Sequence, residues 1–236
     1  MEAPYRLSLA GGWIDQPFVS RIRPGSMVNL SIEPDDFMKR SGMATSTRAT
    51  IETVWKNIPD FNEDPLKYSK ILFAVENPPG TKDISGSQDS IGIVYPGIKR
   101  LDYNGEYWPE KITYTTETHI SDWLEEVIHL IPLWPRPYGY DPLKDFNSDL
   151  NVIKNLGRSG NICWESINEM DVSDLQFSLE LCMDCWRKML PRVTNDEIEA
   201  KLEEYPGLLT GAGGGGYIIC ASDEPILGAL KIKVRR

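Results

Sequence analysis

Two carboxylates lie on either side of a loop rich in proline and glycine, and this arrangement suits phosphoryl transfer. Glu76 precedes the loop and Asp89 follows it, within residues 85–90 (SGSQDS). Phosphoryl transfer needs one group that holds Mg²⁺ and another that accepts or orients the proton of the attacking hydroxyl. Glu76 and Asp89 could take these two roles. As isolated acids, however, such residues are more often solvated side chains of a loop.

A second segment with chemical potential is the strand-like run at residues 3–15 (APYRLSLAGGWID). It ends in a glycine pair and delivers the carboxylate of Asp15, a placement that suits the binding of a polyol hydroxyl. Trp13 could stack on a sugar ring or simply pack against its neighbours. The alternative for the segment is a strand followed by a surface turn, with Asp15 in solvent.

The third segment, residues 41–49 (SGMATSTRA), is a loop of small and hydroxyl side chains that opens directly into a helical pattern. Free N–H groups and the dipole at a helix N-terminus make an anion site, to which the hydroxyls add donors or Mg²⁺ ligands. Arg48 would add a charge-assisted contact. The lysine pattern of a Walker loop is missing. An ordinary capped helix explains the segment nearly as well.

A run of glycines dominates the C-terminal part of the chain. Residues 208–217 (LLTGAGGGGY) hold five glycines in six positions and lead into an apolar, strand-like run. Glycine admits positive φ and lets a ligand approach the main chain, but each one costs conformational entropy on folding. The run therefore predicts a loop that lies against a bound molecule. A long hairpin or a flexible linker is the alternative, which the strand-like flank disfavours.

The elements that must position these residues alternate along the chain. Apolar alternation and turn signals predict strands at residues 5–10, 26–32, 97–114 (a meander around the turn at Asn104-Gly105), 128–134, 217–221 and 230–234. Helical spacing predicts helices at residues 45–55, 63–75, 141–156, 173–190 and 195–205, with Thr45 or Ser46, Ser173 and Asn195 as N-caps.

Length and charge limit the classes of protein to which the chain could belong. Its 236 residues suit one large domain or two small ones that share an interface. Lys and Arg total 25 against 35 Asp and Glu, a net charge of −10, which argues against a nucleic-acid partner. The sequence shows no N-terminal targeting signal and no apolar run near the ~20 residues that span a bilayer. A soluble, cytoplasmic protein without membrane contact is expected.

The cysteines and histidines do not predict a metal centre. Cys182 and Cys185 form a CxxC pattern, but it lies inside a run with helical periodicity, and no second ligand pair follows at zinc-site spacing. The two histidines, His119 and His129, are too few and too isolated to indicate a metal site. His129 is expected at a buried strand position.

Taken together and in this order, the motifs resemble the GHMP kinase superfamily, which includes galactokinase, homoserine kinase, mevalonate kinase and phosphomevalonate kinase. The heptose-phosphate kinase branch is the most similar. Its first motif, A-P-x-R-(I/L)-S-(F/L)-A-G-G-x-x-D, is matched at every fixed position by residues 3–15. Its last motif, L-L-G-A-G-G-G-G-(F/Y), is matched by residues 208–217 with one change. The resemblance covers nearly the whole chain.

The motifs between these two are matched more loosely. The phosphate loop G-L-G-S-S-S is similar to residues 42–47 (GMATST), and the catalytic segment G-K-Q-D-Q-Y is similar to residues 86–91 (GSQDSI), with Glu76 upstream. The motif V-S-N-P-x-I is similar to residues 193–198 (VTNDEI). Only 26 residues, 16–41, separate the first motif from the phosphate loop, so the N-terminal lobe is abbreviated.

The resemblance implies an α+β fold, with a part like domain 2 of ribosomal protein S5 at residues 1–115 and a ferredoxin-like part at residues 116–236. It implies transfer of a phosphoryl group from ATP, with Mg²⁺, to a hydroxyl of a sugar or sugar phosphate. Asp89 and Arg6 would be catalytic, and Glu76 and Ser46 would hold the metal. The expected cofactor-binding residues are Gly42, Ala44, Thr45, Ser46, Thr47, Arg48, Gly213 and Gly214. The expected substrate-binding residues are Asp15, Gly12, Trp13, Gln88, Arg136, Gly211 and Gly215.

A second hypothesis stays open on the sequence. The abbreviated lobe removes the part that supplies the adenine pocket in the family, and Ala44 and Arg48 replace smaller residues at the phosphate loop. A protein with this fold could therefore bind a sugar phosphate or a partner chain without transferring phosphate. Arg136, in residues 133–140 (LWPRPYGY), could meet a substrate phosphate or lie in solvent. An apolar face left by the short lobe could be covered by a second subunit in a homodimer.

Overall fold

The computed structural model describes residues 2–34 and 42–236, so Ser41 of the hydroxyl-rich segment lies outside the described residues. The strands are β1 (Tyr5–Ala10), β2 (Gly25–Ile32), β3 (Ile98–Tyr103), β4 (Lys111–Thr115), β5 (Ile128–Pro132), β6 (Leu208–Leu209), β7 (Tyr217–Ala221) and β8 (Leu230–Lys231). The α-helices are α1 (Pro17–Ser20), α2 (Thr45–Val54), α3 (Pro65–Glu76), α4 (Gln88–Val94), α5 (Thr118–Val127), α6 (Leu150–Glu169), α7 (Val172–Met189) and α8 (Asp196–Glu204).

Two antiparallel sheets form the framework, which confirms the predicted α+β class. The first sheet has the order β1-β2-β3-β4 and the second the order β6-β7-β5-β8. Helices α6 and α7 pack on each other. Helix α6 contacts β2 of the first sheet, and α7 contacts β7 of the second. One hydrophobic cluster therefore extends across both sheets, with Trp186 of α7 fully buried in it. The division at residues 115 and 116 stays a prediction.

Close packing between α6 and the first sheet depends on two glycines in the middle of the helix. A Cβ at Gly160 would overlap the carbonyl oxygen of Ser26, and Gly157 lies against the backbone of Gly25. Glycine normally weakens a helix, since it adds backbone entropy to the unfolded state. Here it lets the helix backbone approach β2 directly.

The predicted helix at residues 141–156 is wrong in its bounds. The helix begins at Leu150, where Asp149 is the N-cap and accepts hydrogen bonds from the amides of Asn151 and Val152. It continues through Gly157 and Gly160 to Glu169, because packing against the sheet outweighs the low helix propensity of glycine. Residues 142–145, which begin with Pro142, form a turn instead, and residues 146–149 are irregular.

The predicted N-caps and turns agree with the structure only in part. Asn195 caps α8 as expected, with its side chain accepting from the Ile198 amide at 2.8 Å. Asp171, two positions before the predicted Ser173, caps α7. Helices α4 and α5 were not predicted, and the expected turn at Asn104-Gly105 is a longer connection between β3 and β4.

The C-terminal segment crosses from the second sheet back to the first. After β8 pairs with β5, Val234 forms an isolated bridge with Ile32 at the end of β2. The Glu33 amide donates to the Lys233 carbonyl at 2.7 Å, and the Arg235 amide donates to the Ser31 carbonyl at 2.9 Å. The strand predicted at residues 230–234 is thus divided between two partners.

The burial of His129 and of the cysteines, and the polarity of the helices, can be compared with the sequence. His129 lies in β5 and is 1% exposed, which confirms the predicted buried strand position. All four cysteines are buried and form no disulfide. Within the described part of the chain, every helix is too short or too polar to cross a bilayer.

Candidate functional site

A cavity of about 420 Å³ lies where the sequence-predicted segments meet. Each segment contributes at least one residue to its wall: Asp89 from residues 85–90, Arg6 and Asp15 from residues 3–15, Ser46 from residues 41–49, Arg136 from the proline-rich segment and Gly211 from the glycine run. The tertiary structure therefore brings together residues that are separated by up to about two hundred positions in the chain.

Arg6 and Asp89 form an ion pair at the wall of this cavity. Arg6 lies in β1, and one of its terminal N–H groups donates to Asp89 Oδ1 in the first turn of α4. Both residues line the cavity, and Asp89 is the more exposed member of the pair, with its side chain 26% exposed against 4% for Arg6. A Cβ at Gly92, one turn further along α4, would overlap Arg6 Cγ. Glycine at that position lets the arginine cross the helix to meet Asp89.

Asp15 is held beside this pair by the segment that carries Asp89. Gln88 Nε2 donates to Asp15 Oδ1 at 2.9 Å, and the Gln88 carbonyl accepts from Asn29 Nδ2 at 3.0 Å. A side chain at Gly86 would overlap the Asp15 carboxylate. Burial, together with the charge of Asp89, raises the pKa of Asp15 to about 7, although the Gln88 hydrogen bond opposes the change. The carboxyl can therefore gain or lose a proton near neutral pH.

This raised pKa predicts that stability depends on pH. The Asp15 carboxyl has a pKa of about 7 in the folded protein, against an ordinary value of 3.8 for an aspartate in water, so the folded state holds the proton more tightly. The free energy of unfolding then falls as pH rises through this window. An Asp15→Asn variant cannot ionise, and we expect it to gain stability relative to the original chain from about pH 4 to about pH 7. Urea unfolding at both ends of the window measures the difference; a difference independent of pH would contradict the prediction.

The N-terminus of α2 opens toward the same cavity. Ala44, Thr45 and Ser46 line its wall, and Ala44 is the N-cap with a left-handed φ of 56°. Neither Thr45 nor Ser46 is the cap, contrary to the sequence prediction, and α2 has no side-chain cap. The N–H groups of a first helical turn have no partner within the helix. With the helix dipole, they make this wall favourable for an anion.

Behind this wall, α2 and α3 are joined by a hydrogen bond between Thr47 and Glu76. Thr47 Oγ1 donates to Glu76 Oε1 at 2.6 Å, whereas Oε2 is buried and has no hydrogen-bond partner among the described residues. Burial raises the pKa of Glu76 to about 7; the Thr47 hydrogen bond opposes this change and the charge of Asp89 adds to it. A buried carboxylate oxygen without a donor, near a second carboxylate, fits a divalent cation.

The glycine run contacts the hydroxyl-rich loop directly. Gly211 has a φ of 64°, and a Cβ there would lie 2.6 Å from Arg136 Nη2 and 2.7 Å from Gly42 Cα. Gly42 in turn lies against Thr210. Only Gly211 and Ala212 of the run line the cavity. The two loops therefore meet at the cavity wall, and glycine is needed for that close approach.

The remaining glycines of the run pack within the protein instead of facing the cavity. A Cβ at Gly213 would overlap Val193, one at Gly214 would lie 2.6 Å from the Tyr140 ring, and one at Gly215 would lie 2.5 Å from the Trp134 carbonyl. The sequence pattern predicts a bound molecule along the whole run. At these three positions the structure explains the glycines differently, because a side chain there would overlap Val193, Tyr140 or Trp134.

Arg48 and Gly12 are also not brought to the cavity wall. Arg48 Nε donates to the Ala3 carbonyl at 3.0 Å, and its guanidinium lies 3.5 Å from the centre of the Tyr5 ring. Arg48 is therefore not among the residues that line the cavity, and its expected contact with an anion stays a prediction. Gly12 packs against Trp186, whose Nε1 donates to the Gly12 carbonyl at 3.3 Å.

Trp13 and Arg136 line the cavity, whereas their contact with an acceptor stays a prediction. Trp13 has a φ of 80°, an unusual conformation for a non-glycine residue. Arg136 Nε donates to the Gly213 carbonyl at 2.7 Å. Sequence reasoning missed four residues that also line the wall, Gln16, Ser85, Gly86 and Ala212. Gln16 follows a predicted segment directly and the other three lie inside one, and that position was the only signal.

No protein-family model and no curated protein matches the sequence. Three solved structures are similar to it over most of their length. They are a D-glycero-D-manno-heptose 1-phosphate kinase from Bacteriodes thetaiotaomicron (13% identity, 98% of this chain and 95% of that one, TM-score 0.55), a protein described as a sugar kinase from Campylobacter jejuni (15%, 98% and 94%, 0.60), and the Methanococcus jannaschii mevalonate kinase (14%, 94% and 89%, 0.58). At these identities the similarity shows the fold.

Proposed function

Because the chain has the GHMP kinase fold, we propose that it transfers the γ-phosphoryl group of ATP to a hydroxyl of a sugar or sugar phosphate. One observation carries this proposal. The Arg6–Asp89 pair, the Asp15 carboxyl and the uncapped N-terminus of α2 share one cavity of about 420 Å³. This arrangement supplies a group for the hydroxyl proton, a binder for the acceptor and an anion site for phosphates.

In the proposed reaction, the acceptor hydroxyl donates its hydrogen bond to Asp89. Its oxygen attacks the γ-phosphorus in line with the leaving oxygen, ADP departs, and the hydroxyl proton passes to the carboxylate. Arg6 holds Asp89 in place and presents positive charge at the cavity wall, where charge develops in the transition state. Positioning and charge stabilisation account for most catalysis of this kind.

The phosphates of the nucleotide would bind between the two loops that meet at the cavity wall. The first-turn N–H groups of α2 supply donors from one side, at Thr45 and Ser46. The backbone at Gly211 and Ala212 approaches from the other side without an intervening Cβ at Gly211. This site is smaller than the one that the sequence pattern predicts for the whole glycine run.

Mg²⁺ would be held by Glu76 and Ser46. The unpartnered Glu76 Oε2 and the exposed hydroxyl of Ser46 are oxygen ligands of the type that this ion prefers. When bound, the ion neutralises the charge of the β- and γ-phosphates. Thr47 fixes the orientation of Glu76 through its hydrogen bond to Oε1.

The acceptor would bind at the opposite wall, next to Asp15 and Gln88. Asp15 accepts from Gln88 through Oδ1, which leaves Oδ2 for a sugar hydroxyl. Trp13 borders the same wall and offers an aromatic surface, and Arg136 offers a positive charge to a phosphate on the acceptor.

Nucleotide binding is the first test. We expect Mg-ATP to bind the purified protein in isothermal titration calorimetry and Ser46→Ala to bind it more weakly, since a ligand of the metal is removed. Thr53→Ala is the matched control: Thr53 lies in the same helix, but its hydroxyl is exposed and bonds to the Ala49 carbonyl. A panel of sugars and sugar phosphates, screened for ADP release, then identifies the acceptor. No detectable binding of Mg-ATP would refute the kinase proposal and leave a protein that binds sugar phosphates.

The cellular context belongs to the same proposal. A sugar kinase that uses ATP would work in the cytoplasm, and a net charge of −10 disfavours a nucleic-acid partner. We also propose that a second copy covers the abbreviated lobe in a homodimer. Light scattering of the purified protein distinguishes a dimer from a monomer.

A further inference from the structure

The carbonyl end of α4 is held by two basic side chains that come from outside the helix. Lys99 of β3 is fully buried, and its Nζ donates to the carbonyls of Gly92 at 3.0 Å, Tyr95 at 3.0 Å and Gly97 at 2.9 Å. Arg235, in the C-terminal segment, donates through Nη2 to the carbonyl of Val94 and to that of Ile93 at 3.3 Å. The two side chains thus satisfy the carbonyls that every helix leaves without a partner at its C-terminus.

The three hydrogen-bond partners of Lys99 match the ammonium form of its side chain. Three carbonyl oxygens at hydrogen-bond distance need three N–H groups, and only the ammonium form supplies them. Burial and the nearby charges of Arg235 and Arg6 lower the pKa of Lys99, which makes the charged form costly. The carbonyl dipoles at the helix C-terminus offset this cost, since positive charge is favoured there.

Helix α4 needs such anchors, because its own sequence favours helix formation only weakly. It has seven residues (QDSIGIV), too few to be stable by itself, and they include one glycine and three β-branched residues. Its axial position must therefore be set by contacts from other elements. The Arg6 side chain passes directly over Gly92. Gly92 lies in the last turn of α4, and its carbonyl is one of those that Lys99 binds.

The position of α4 decides where Asp89 lies, since Asp89 is in the first turn of this helix. A shift along or around the helix axis would carry the carboxylate away from Arg6 and from the cavity. Arg235 is itself held from two sides: its amide donates to the Ser31 carbonyl at 2.9 Å, and its carbonyl accepts from the Gly97 amide at 2.7 Å. The end of the chain is thereby connected to the helix that carries the proposed catalytic carboxylate.

We propose that Lys99 and Arg235 are positioning residues, which fix α4 so that Asp89 faces the cavity and pairs with Arg6. This inference rests on the proposed function, because it concerns the same carboxylate. Neither residue lines the cavity. They act through the helix, without touching the substrate.

The test replaces Arg235 by glutamine, which keeps the backbone hydrogen bonds and removes the charge. We expect kcat to fall by about tenfold to a hundredfold, as for a misplaced catalytic group, with the KM for ATP nearly unchanged. Lys99→Met, which keeps the volume of the side chain, should act in the same direction. Arg235→Lys should restore part of the rate, since lysine can still donate to one carbonyl.

Arg236→Gln is the matched control. Arg236 is the next residue of the same segment, but it pairs with Asp122 and Glu125 of α5, and its side chain makes no hydrogen bond or ion pair with α4 among the described residues. We expect it to keep the full rate. An Arg235→Gln variant with the same kcat as Arg236→Gln would overturn the proposal.

Two further measurements separate positioning from a general loss of stability. Arg235→Gln should have little additional effect on kcat when Asp89 is already asparagine, because it acts through that carboxylate; independent effects that add would contradict this. Amide hydrogen exchange should be about 10- to 100-fold faster at Ile91 of α4 and at Tyr95, the residue that follows this helix, and unchanged in α6. Unchanged exchange at α4 would overturn the inference. If the original chain shows no turnover, the proposed function fails, and the exchange data still decide whether the two residues hold α4.

Discussion

Replacing Asp89 by asparagine is expected to lower kcat by about 10²- to 10⁴-fold, with little change in the KM for either substrate. Asparagine keeps the volume of the side chain and can still accept the hydrogen bond from Arg6, so the cavity keeps its shape. It cannot take the proton of the acceptor hydroxyl, and it carries no charge to orient that hydroxyl. Release of ADP under saturating substrates measures the loss.

Asp102→Asn is the control for this prediction. Asp102 in β3 also pairs with an arginine, Arg100, at 2.8 Å, and its side chain is 28% exposed, close to the 26% of Asp89. It does not line the cavity. We expect its kcat to stay within about twofold of the original value, as for a substitution away from the site. If Asp89→Asn kept the rate of this control, Asp89 would be neither the base nor the orienting carboxylate.

Gly211→Ala is expected to produce the second large effect, because it separates the two loops that meet at the cavity. The added methyl group would lie 2.7 Å from Gly42 Cα and 2.9 Å from the Gly42 carbonyl oxygen, which are backbone atoms that cannot rotate away. The hydroxyl-rich loop must then move, and it carries the N-terminus of α2. A displacement of about 1 Å near a reacting group can cost about a hundredfold in rate. We expect at least that loss in kcat/KM for ATP, together with weaker binding of Mg-ATP in calorimetry.

Gly228→Ala separates this steric effect from the cost of the backbone conformation. Gly228 has a φ of 81°, similar to the 64° of Gly211, but a Cβ there would meet no atom within 4 Å. Both variants should therefore lose about 1–2 kcal/mol of stability, because alanine disfavours positive φ. Only Gly211→Ala should lose activity. Equal activity in the two variants would show that contact between the loops does not matter for the nucleotide.

The sequence predicted the strands of the site well, because their patterns are local. Residues 5–10 and 217–221 have the bounds that apolar alternation predicted, and β2 differs from its predicted bounds by one residue. The α+β fold was expected from the resemblance of the motifs to the GHMP kinase superfamily. The helix at residues 141–156 was misplaced, since α6 continues past residue 156 through Gly157 and Gly160, the two glycines that let it approach β2. A sequence pattern does not show which backbone will lie against a glycine.

The candidate site, like the fold, could be predicted from the sequence only in part. Residue types and spacing alone indicated Asp15 as a group for a polyol hydroxyl, the start of α2 as an anion site and Asp89 as a carboxylate suited to phosphoryl transfer, whereas the role of Arg6 was implied by the resemblance to the GHMP kinases. Only the tertiary structure decided which neighbours face the cavity. Arg48 instead lies over the Tyr5 ring, and Gly213 packs against Val193. The hydrogen bonds from Lys99 and Arg235 to the carbonyls of α4 also could not be predicted from the sequence, because they join a buried strand, a short helix and the C-terminal segment. Spacing along the chain determines which residues share an element, whereas the direction of each side chain depends on what packs against that element.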